Sequence, residues 1–164
     1  MKNVNSACPT SLDIYNQYHQ NTYNKAIHAI CIPAIAMSLR LFLDNVYIIT
    51  NLNQPQYSFF NKMKWHLPIL LQNIYCYYYL SYGFFPGVIM ICYFFTLEIL
   101  AKFFIIPTGY KYKIARYLFI YGWCMQFFGH WIEGSRPALA DSISQAFVSA
   151  PLFSMQYFFP NLLK

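Results

Sequence analysis

A long apolar stretch of the chain reads FFPGVIMICYFFTLEILAKFFIIP over residues 84–107. A helix of this length rises by roughly 1.5 Å per residue, which reaches the ~30 Å thickness of the hydrocarbon core of a bilayer. The charged side chains within it are Glu98 and Lys102, four residues apart, and we expect them to pair with each other. A stretch this long and this poor in charge predicts a helix that crosses a membrane.

The composition of the whole chain agrees with a membrane location. Hydrophobic residues make up 58% of the 164 positions and charged residues 10%, compared with about 45–50% and about 25% in soluble domains. The net charge of +6 is scattered along the chain, so nucleic-acid binding is not predicted. The five cysteines form no CxxC pair and mostly lie in apolar stretches, which argues against a disulfide scaffold.

Three further segments are long and apolar enough to cross a bilayer: residues 26–43, 67–82 and 114–132. Residues 142–163 are more polar and predict either a fifth crossing or a helix that lies in the interface. Residues 11–19 mix apolar and polar side chains after a serine, which predicts a brief helix at the headgroup level. We therefore expect an all-α integral membrane protein with four to five transmembrane helices and a short N-terminal interfacial helix. Residues 1–164 form a single membrane-embedded helical domain in this prediction.

Histidines near the ends of the predicted spans are the first functional candidates, because ionisable side chains are costly inside a bilayer. His28 opens the first span and His130 closes the fourth, and four crossings return the chain to the same membrane face. His19 precedes the first span by a few residues and joins that face, whereas His66 begins the second span and falls on the opposite face. We therefore expect three imidazoles to converge.

His19 and His28 can converge only if the helix breaks between them. Nine residues at about 100° each would place the two side chains on opposite sides of one helix. Asn21 and Thr22 supply a break and a new N-cap. Asn24 then lies one turn before His28 and is a candidate to orient it.

A polar stripe marks the end of the fourth span. Gln126, His130 and Glu133 follow i, i+4 and i+7 spacing, so an amide, an imidazole and a carboxylate share one helical face. Such a stripe is typical of a metal-binding face or of a polar helix end that is exposed to water. Three histidines with a nearby carboxylate suit iron, zinc or copper better than magnesium or calcium. Arg136 follows in the next turn, where its guanidinium either grips a substrate carboxylate or contacts a lipid headgroup.

Two stretches of the sequence carry a family resemblance: residues 18–28, YHQNTYNKAIH, with Ile32 and Pro33 close behind, and residues 126–141, QFFGHWIEGSRPALAD, followed by APLF at residues 150–153. They resemble the Mpo-like family, named for the metabolism of phytosphingosine to odd-numbered fatty acids, whose fungal member is an endoplasmic-reticulum 2-hydroxy fatty acid dioxygenase. The resemblance implies an Fe(II)-dependent dioxygenase that performs α-oxidation of long-chain 2-hydroxy fatty acids with O2. Its product would be a fatty acid one carbon shorter, released during sphingoid-base degradation.

The same resemblance implies which residues form the site. The ligands of Fe(2+) would be three histidines: His19, His28 and His130. Glu133 maps to the acidic residue that follows the last histidine of the family, but two residues separate it from His130 instead of three, so we expect it to support a histidine rather than to bind the metal. We assign it to catalysis together with Arg136. Asn24 and Gln126 are assigned to the support of the metal ligands. The implied partners are the fatty acid, O2 and the bilayer, in the endoplasmic reticulum of a eukaryote or the inner membrane of a bacterium.

Two other classes of function stay open on the sequence. A non-catalytic membrane scaffold could use the polar stripe to join helices or to recruit a partner, and it would need no stoichiometric metal. A Zn-dependent membrane lipid hydrolase could use the same histidines, and it would work without O2.

Overall fold

A computed structural model describes residues 19–46, 67–136 and 143–162 of the chain. These residues form five α-helices, namely α1 (Thr22–Phe42), α2 (Leu67–Leu80), α3 (Phe84–Ile99), α4 (Lys111–Glu133) and α5 (Ile143–Phe158). Helix α3 continues through a π-helical turn, Leu100–Ile105, and a 3-10 turn, Ile106–Thr108. No strand occurs in this part of the chain, so the all-α prediction is confirmed for it.

Two helical segments among the described residues are long and apolar enough to cross a membrane. They are Thr22–Phe42, with 21 residues, and Phe84–Thr108, with 25. Helices α2 and α5 are shorter, with 14 and 16 residues, and α4 carries the polar stripe that ends at Glu133. Crossing by these three helices stays a prediction, and the interfacial helix predicted at residues 11–19 lies outside the described residues except for His19.

The chain divides into two compact units. Of the described residues, the first contains those up to Pro33 and those between Tyr121 and Leu162, so it includes the beginning of α1, the end of α4 and all of α5. The second contains Ala34–Ile120, with the end of α1, the beginning of α4 and helices α2 and α3. Membership of one membrane-embedded domain stays a prediction.

Helices α2 and α3 form a tight hairpin in the second unit. Gly83 reverses the chain with φ of 129°, a backbone conformation that side chains rarely adopt. A Cβ added at Gly87 would lie 2.9 Å from the Cα of Leu80. The two helices therefore approach as closely as they do because position 87 has no side chain.

Arg40, near the end of α1, binds two carboxylates in the second unit. Its Nε and Nη2 donate to the two oxygens of Glu98, with Nη2 3.0 Å from Oε1, and its Nη1 donates to Asp44 at 2.9 Å. Lys111 donates to the other oxygen of Asp44. Glu98 thus pairs with Arg40 rather than with the expected Lys102, since a planar guanidinium matches both carboxylate oxygens and the π-helical turn alters the register of Lys102.

Candidate metal centre

Three histidines of the first unit form a buried cluster. The Nε2 atoms of His19 and His28 are 3.0 Å apart, and the ring of His130 lies 4.9 Å from the first and 5.0 Å from the second, between centroids. The exposed fractions of the three residues are 0%, 1% and 5% in chain order. The structure therefore brings together the three imidazoles for which the sequence predicts convergence, while His66 lies outside the described residues.

The chain breaks where the sequence predicts, just before α1. The helix begins at Thr22, and Oδ1 of Asn21 accepts a hydrogen bond from the backbone N–H of Tyr23 at 2.8 Å. A side-chain oxygen in this position satisfies a backbone donor that has no partner within the helix. The break places His19 outside the helix, where its ring contacts that of His28 at 4.4 Å between centroids.

Asn24 orients His28 through the main chain. The Nδ1–H of His28 donates to the backbone carbonyl of Asn24 at 2.9 Å. A proton held on Nδ1 leaves the lone pair of Nε2 available, and Nε2 is the atom that faces His19. The support comes from the carbonyl rather than the side chain because that carbonyl lies one helical turn below the imidazole.

The Glu133 carboxylate caps α1 from another helix. Its Oε1 accepts hydrogen bonds from the backbone N–H groups of Gln20 and, at 2.8 Å, of Asn21, while its Oε2 accepts from Nδ2 of Asn24. The beginning of a helix offers unpaired N–H groups and a positive dipole end, both of which favour a carboxylate. Among the described residues, the three histidines lie close enough to one another to share one metal ion, and Glu133 does not belong to this group.

Gly129 lets Asn24 lie against helix α4. A Cβ at position 129 would be 2.2 Å from Oδ1 of Asn24 and 3.5 Å from Cδ1 of Ile27. No larger residue fits there unless a neighbour moves. Gly129 directly precedes His130, but spacing along the helix gives no sign of this contact, which depends on how α1 packs against α4.

Helix α5 adds an aromatic wall to the cluster. The ring of Phe153 lies 4.8 Å from the ring of His19 and 6.1 Å from that of His28, between centroids. Phe153 is buried, so it shields the imidazoles from water on this side. The sequence contains no periodic signal for this role, because an apolar residue in an apolar helix can face either protein or lipid.

Several buried polar atoms around the cluster have no hydrogen-bond partner among the described residues. They are Oδ1 of Asn24, Nε2 of Gln126, Nδ1 of His130 and Oγ of Ser149. Such atoms are rare, because leaving one unpaired costs about 1–3 kcal/mol.

The imidazole nitrogens of the three histidines are spaced as the ligands of one metal ion would be. A metal bond would satisfy the unpaired Nδ1 of His130. Two nitrogens bound at about 2.1 Å and at right angles lie about 3.0 Å apart, which agrees with the 3.0 Å between His19 and His28. All three ligand atoms lie within 4.8 Å of one another.

Arg136 does not share the burial of the cluster. It is exposed in the turn after α4, where Gly134 has φ of 71°. Its contact with a substrate carboxylate stays a prediction.

Comparison with known proteins confirms the family that the two histidine-bearing stretches resemble. The profile of the family described as 2-hydroxy-palmitic acid dioxygenase Mpo1-like matches residues 6–162. The chain is also similar to the 2-hydroxy-palmitic acid dioxygenase MPO1 of Saccharomyces cerevisiae, with 31% identity over 147 residues that cover 89% of this chain and 76% of the yeast protein. No solved structure matches the chain. The chain therefore belongs to the 2-hydroxy-palmitic acid dioxygenase Mpo1-like family.

Proposed function

We propose that this protein is an Fe(II)-dependent dioxygenase that shortens long-chain 2-hydroxy fatty acids by one carbon. The observation that carries the proposal is the buried cluster of His19, His28 and His130, since three imidazoles suit iron, zinc or copper. Family membership directs the choice to iron and O2. The name of the yeast relative, 2-hydroxy-palmitic acid dioxygenase, supports a long-chain 2-hydroxy acid as the substrate.

The proposed reaction balances with the 2-hydroxy acid as the reductant and O2 as the oxidant. A 2-hydroxy acid, R–CH(OH)–COOH, and O2 give R–COOH, CO2 and H2O. The bond between C1 and C2 breaks, C1 leaves as CO2, C2 becomes the new carboxyl carbon and O2 takes up four electrons. Iron, when bound, supplies the one-electron chemistry through which O2 can react with a closed-shell acid.

The side chains around the cluster would position and enclose this chemistry. The carbonyl of Asn24 holds His28 so that Nε2 points at the cluster, and Glu133 holds the backbone next to His19. We therefore assign Glu133 to the positioning of the ligands. Phe153 excludes water from one side, and the exposed Arg136 attracts the anionic acid toward the site.

The bilayer would deliver the substrate. Only 11% of the most apolar part of Phe84–Thr108 is buried in the fold, and Phe95 and Phe103 on it are largely exposed. An apolar surface of this kind is stable in lipid rather than in water. We place the protein in the endoplasmic reticulum membrane of a eukaryote or the inner membrane of a bacterium, where the tail of the acid stays in lipid and its carboxylate at the interface.

Anaerobic purification with metal analysis, followed by addition of 2-hydroxypalmitic acid and O2, tests the proposal. We expect stoichiometric iron and, by mass spectrometry, a fatty acid one carbon shorter. His130→Ala should lose both iron and product, whereas Trp131→Ala, at the exposed next residue, should keep both. Glu133→Gln, which keeps an acceptor oxygen, should retain more iron than Glu133→Ala.

Three results would contradict the proposal. Full activity of His130→Ala would remove the histidine cluster from the reaction. Stoichiometric zinc with O2-independent lipid cleavage would favour a hydrolase. A wild-type protein without metal or product would favour a scaffold.

A further inference from the structure

Gln126 and Ser149 present buried polar atoms that no described residue satisfies. Gln126 is 7% exposed and Ser149 2%, and within residues 19–46, 67–136 and 143–162 neither Nε2 of the first nor Oγ of the second has a hydrogen-bond partner. Because unpaired buried donors are costly, these two atoms are expected to meet a ligand or an ordered water.

Both side chains lie one helical turn from a residue that contacts His19. Gln126 precedes His130 by four residues on α4, and Ser149 precedes Phe153 by four on α5, so each pair shares a helical face. The rings of His130 and Phe153 lie 4.9 Å and 4.8 Å from that of His19. Gln126 on α4 and Ser149 on α5 are therefore each one helical turn from a side chain of the histidine site.

The hydroxyl of Ser149 differs from those of the other buried serines. Ser38 donates to the carbonyl of Ile35 and Ser154 to that of Pro151, each at 2.7 Å. A bond to a carbonyl of the same helix is the usual arrangement for a helical serine. Ser149 makes no such bond, so no described residue occupies its hydroxyl.

The amide of Gln126 is also not used to hold the nearest histidine. If it oriented His130, its oxygen would accept a hydrogen bond from the Nδ1–H of the imidazole. Nδ1 of His130 and Nε2 of Gln126 instead both lack a partner in the part of the chain that the structure describes. The amide N–H thus remains a free donor beside the cluster.

We propose that Gln126 and Ser149 bind the carboxylate of the 2-hydroxy acid, each donating one hydrogen bond to a carboxylate oxygen. The inference rests on the proposed function and deepens it, since it assigns the side chains that recognise the acid group. A carboxylate only accepts hydrogen bonds, which matches an amide N–H and a hydroxyl. Hydrogen bonds to a charged group are also stronger than those to a neutral one, so this pair would select acids over alcohols.

Two ligands with the same hydrocarbon tail distinguish recognition of the carboxylate from recognition of the tail. The iron-loaded protein, kept anaerobic in detergent, is titrated with 2-hydroxyhexadecanoic acid and with 1,2-hexadecanediol, which has the same carbon chain and hydroxyl but no carboxylate. Gln126→Leu and Ser149→Ala should each weaken binding of the acid by about tenfold, as expected for the loss of one charged hydrogen bond. Binding of the diol should change by less than about twofold.

Matched variants control for packing. Ser154→Ala removes a buried serine hydroxyl that is already satisfied within α5, and Phe127→Leu changes the exposed residue next to Gln126. Both should bind acid and diol as the wild type does. Gln126→Glu keeps the shape of the side chain and should exclude the acid by charge repulsion while it still binds the diol. Iron content and melting temperature, measured for every variant, identify any that fails to fold.

Two outcomes would overturn the inference. If Gln126→Leu and Ser149→Ala weaken acid and diol equally, the two side chains fill space or hold a water. If both variants bind the acid as tightly as the wild type, they do not touch the carboxylate. In either case, a wild type that holds iron and forms the shortened acid leaves the proposed function intact, whereas a wild type without iron and product overturns that function itself.

Discussion

At the scale of single residues, Asn24 connects the parts of the histidine site. Its carbonyl accepts from His28, its Nδ2 donates to Glu133, and its Oδ1 lies above Gly129. A residue that binds no metal in our proposal thus contacts both helices that carry His28 and His130. Spacing alone predicted that Asn24 shares a face with His28, but its contacts with α4 depend on how the two helices pack.

We predict that Gly129→Ala destabilises the protein. In an ordinary helix interior this change stabilises by up to about 1 kcal/mol. Here the new Cβ would lie 2.2 Å from Oδ1 of Asn24, and overpacking of this kind costs about 1–3 kcal/mol. The melting temperature in detergent and the retained iron should both fall.

A double-mutant cycle identifies the cause of that loss. Asn24→Ala removes the atom with which the new Cβ collides, so Gly129→Ala should cost much less in that background. If the two substitutions are instead additive, contact with Asn24 is not the reason that position 129 needs glycine.

At the scale of elements, α1 is fastened differently at its two ends. A carboxylate from α4 caps its beginning, where the helix dipole is positive. Near its end, Arg40 and the following Asp44 belong to a charged network with Glu98 and Lys111. Hydropathy predicted this helix to within a few residues, but the partners of its charged side chains come from distant segments and carry no local pattern.

We predict that Asp44 makes stability depend on acid pH. Burial raises the pKa of this carboxyl, but hydrogen bonds from Lys111 and Arg40 outweigh that effect and hold the pKa below its ordinary value. A carboxyl with a lowered folded-state pKa contributes stability that is fully present above its unfolded pKa of about 4 and is lost as pH falls through the lower folded value. Asp44→Asn should therefore lower the melting temperature at pH 7 and reduce its further fall below about pH 4.

The exposed Lys113 serves as the control for this measurement. Lys113→Gln removes a cation close to Lys111 in sequence and should leave the acid dependence of melting unchanged. A profile of Asp44→Asn that matches the wild type below pH 4 would show that the network contributes nothing to folding stability.

At the scale of the whole molecule, apolar surface is the dominant feature. Helix α3 is mostly exposed although it is among the most apolar segments of the chain, which is the reverse of a helix in the core of a soluble protein. The composition is consistent with this property, because 58% of the residues are hydrophobic and 10% charged, compared with about 45–50% and about 25% in soluble domains. Helices α1 and α3 are long and apolar enough to cross a membrane, and which of the five helices cross it depends on packing as well as on hydropathy.

We predict that Phe95→Asp reduces membrane insertion. Phe95 is 59% exposed within α3, and an aspartate near the centre of a spanning helix costs about 2.5–3.5 kcal/mol. On a helix in water the same change would be neutral or would improve solubility. The fraction of protein that stays in the membrane pellet after carbonate extraction measures the difference.

A substitution outside the helix controls for the added charge. Tyr110 is 66% exposed in the turn before α4, and Tyr110→Asp should leave the pellet fraction unchanged. Release of the wild-type protein by carbonate would contradict the membrane location itself.

The sequence by itself determined the helical class, the break before α1, the histidine candidates and the family, because hydropathy, helical periodicity and motifs are properties of local segments. Only the tertiary structure decided that Glu133 caps a helix more than a hundred residues away in sequence, that a side chain at position 129 would collide with Asn24 and that the Ser149 hydroxyl has no hydrogen-bond partner among the described residues. These outcomes depend on the separation and rotation of packed helices. Contacts between distant segments set both quantities, and no local pattern encodes them.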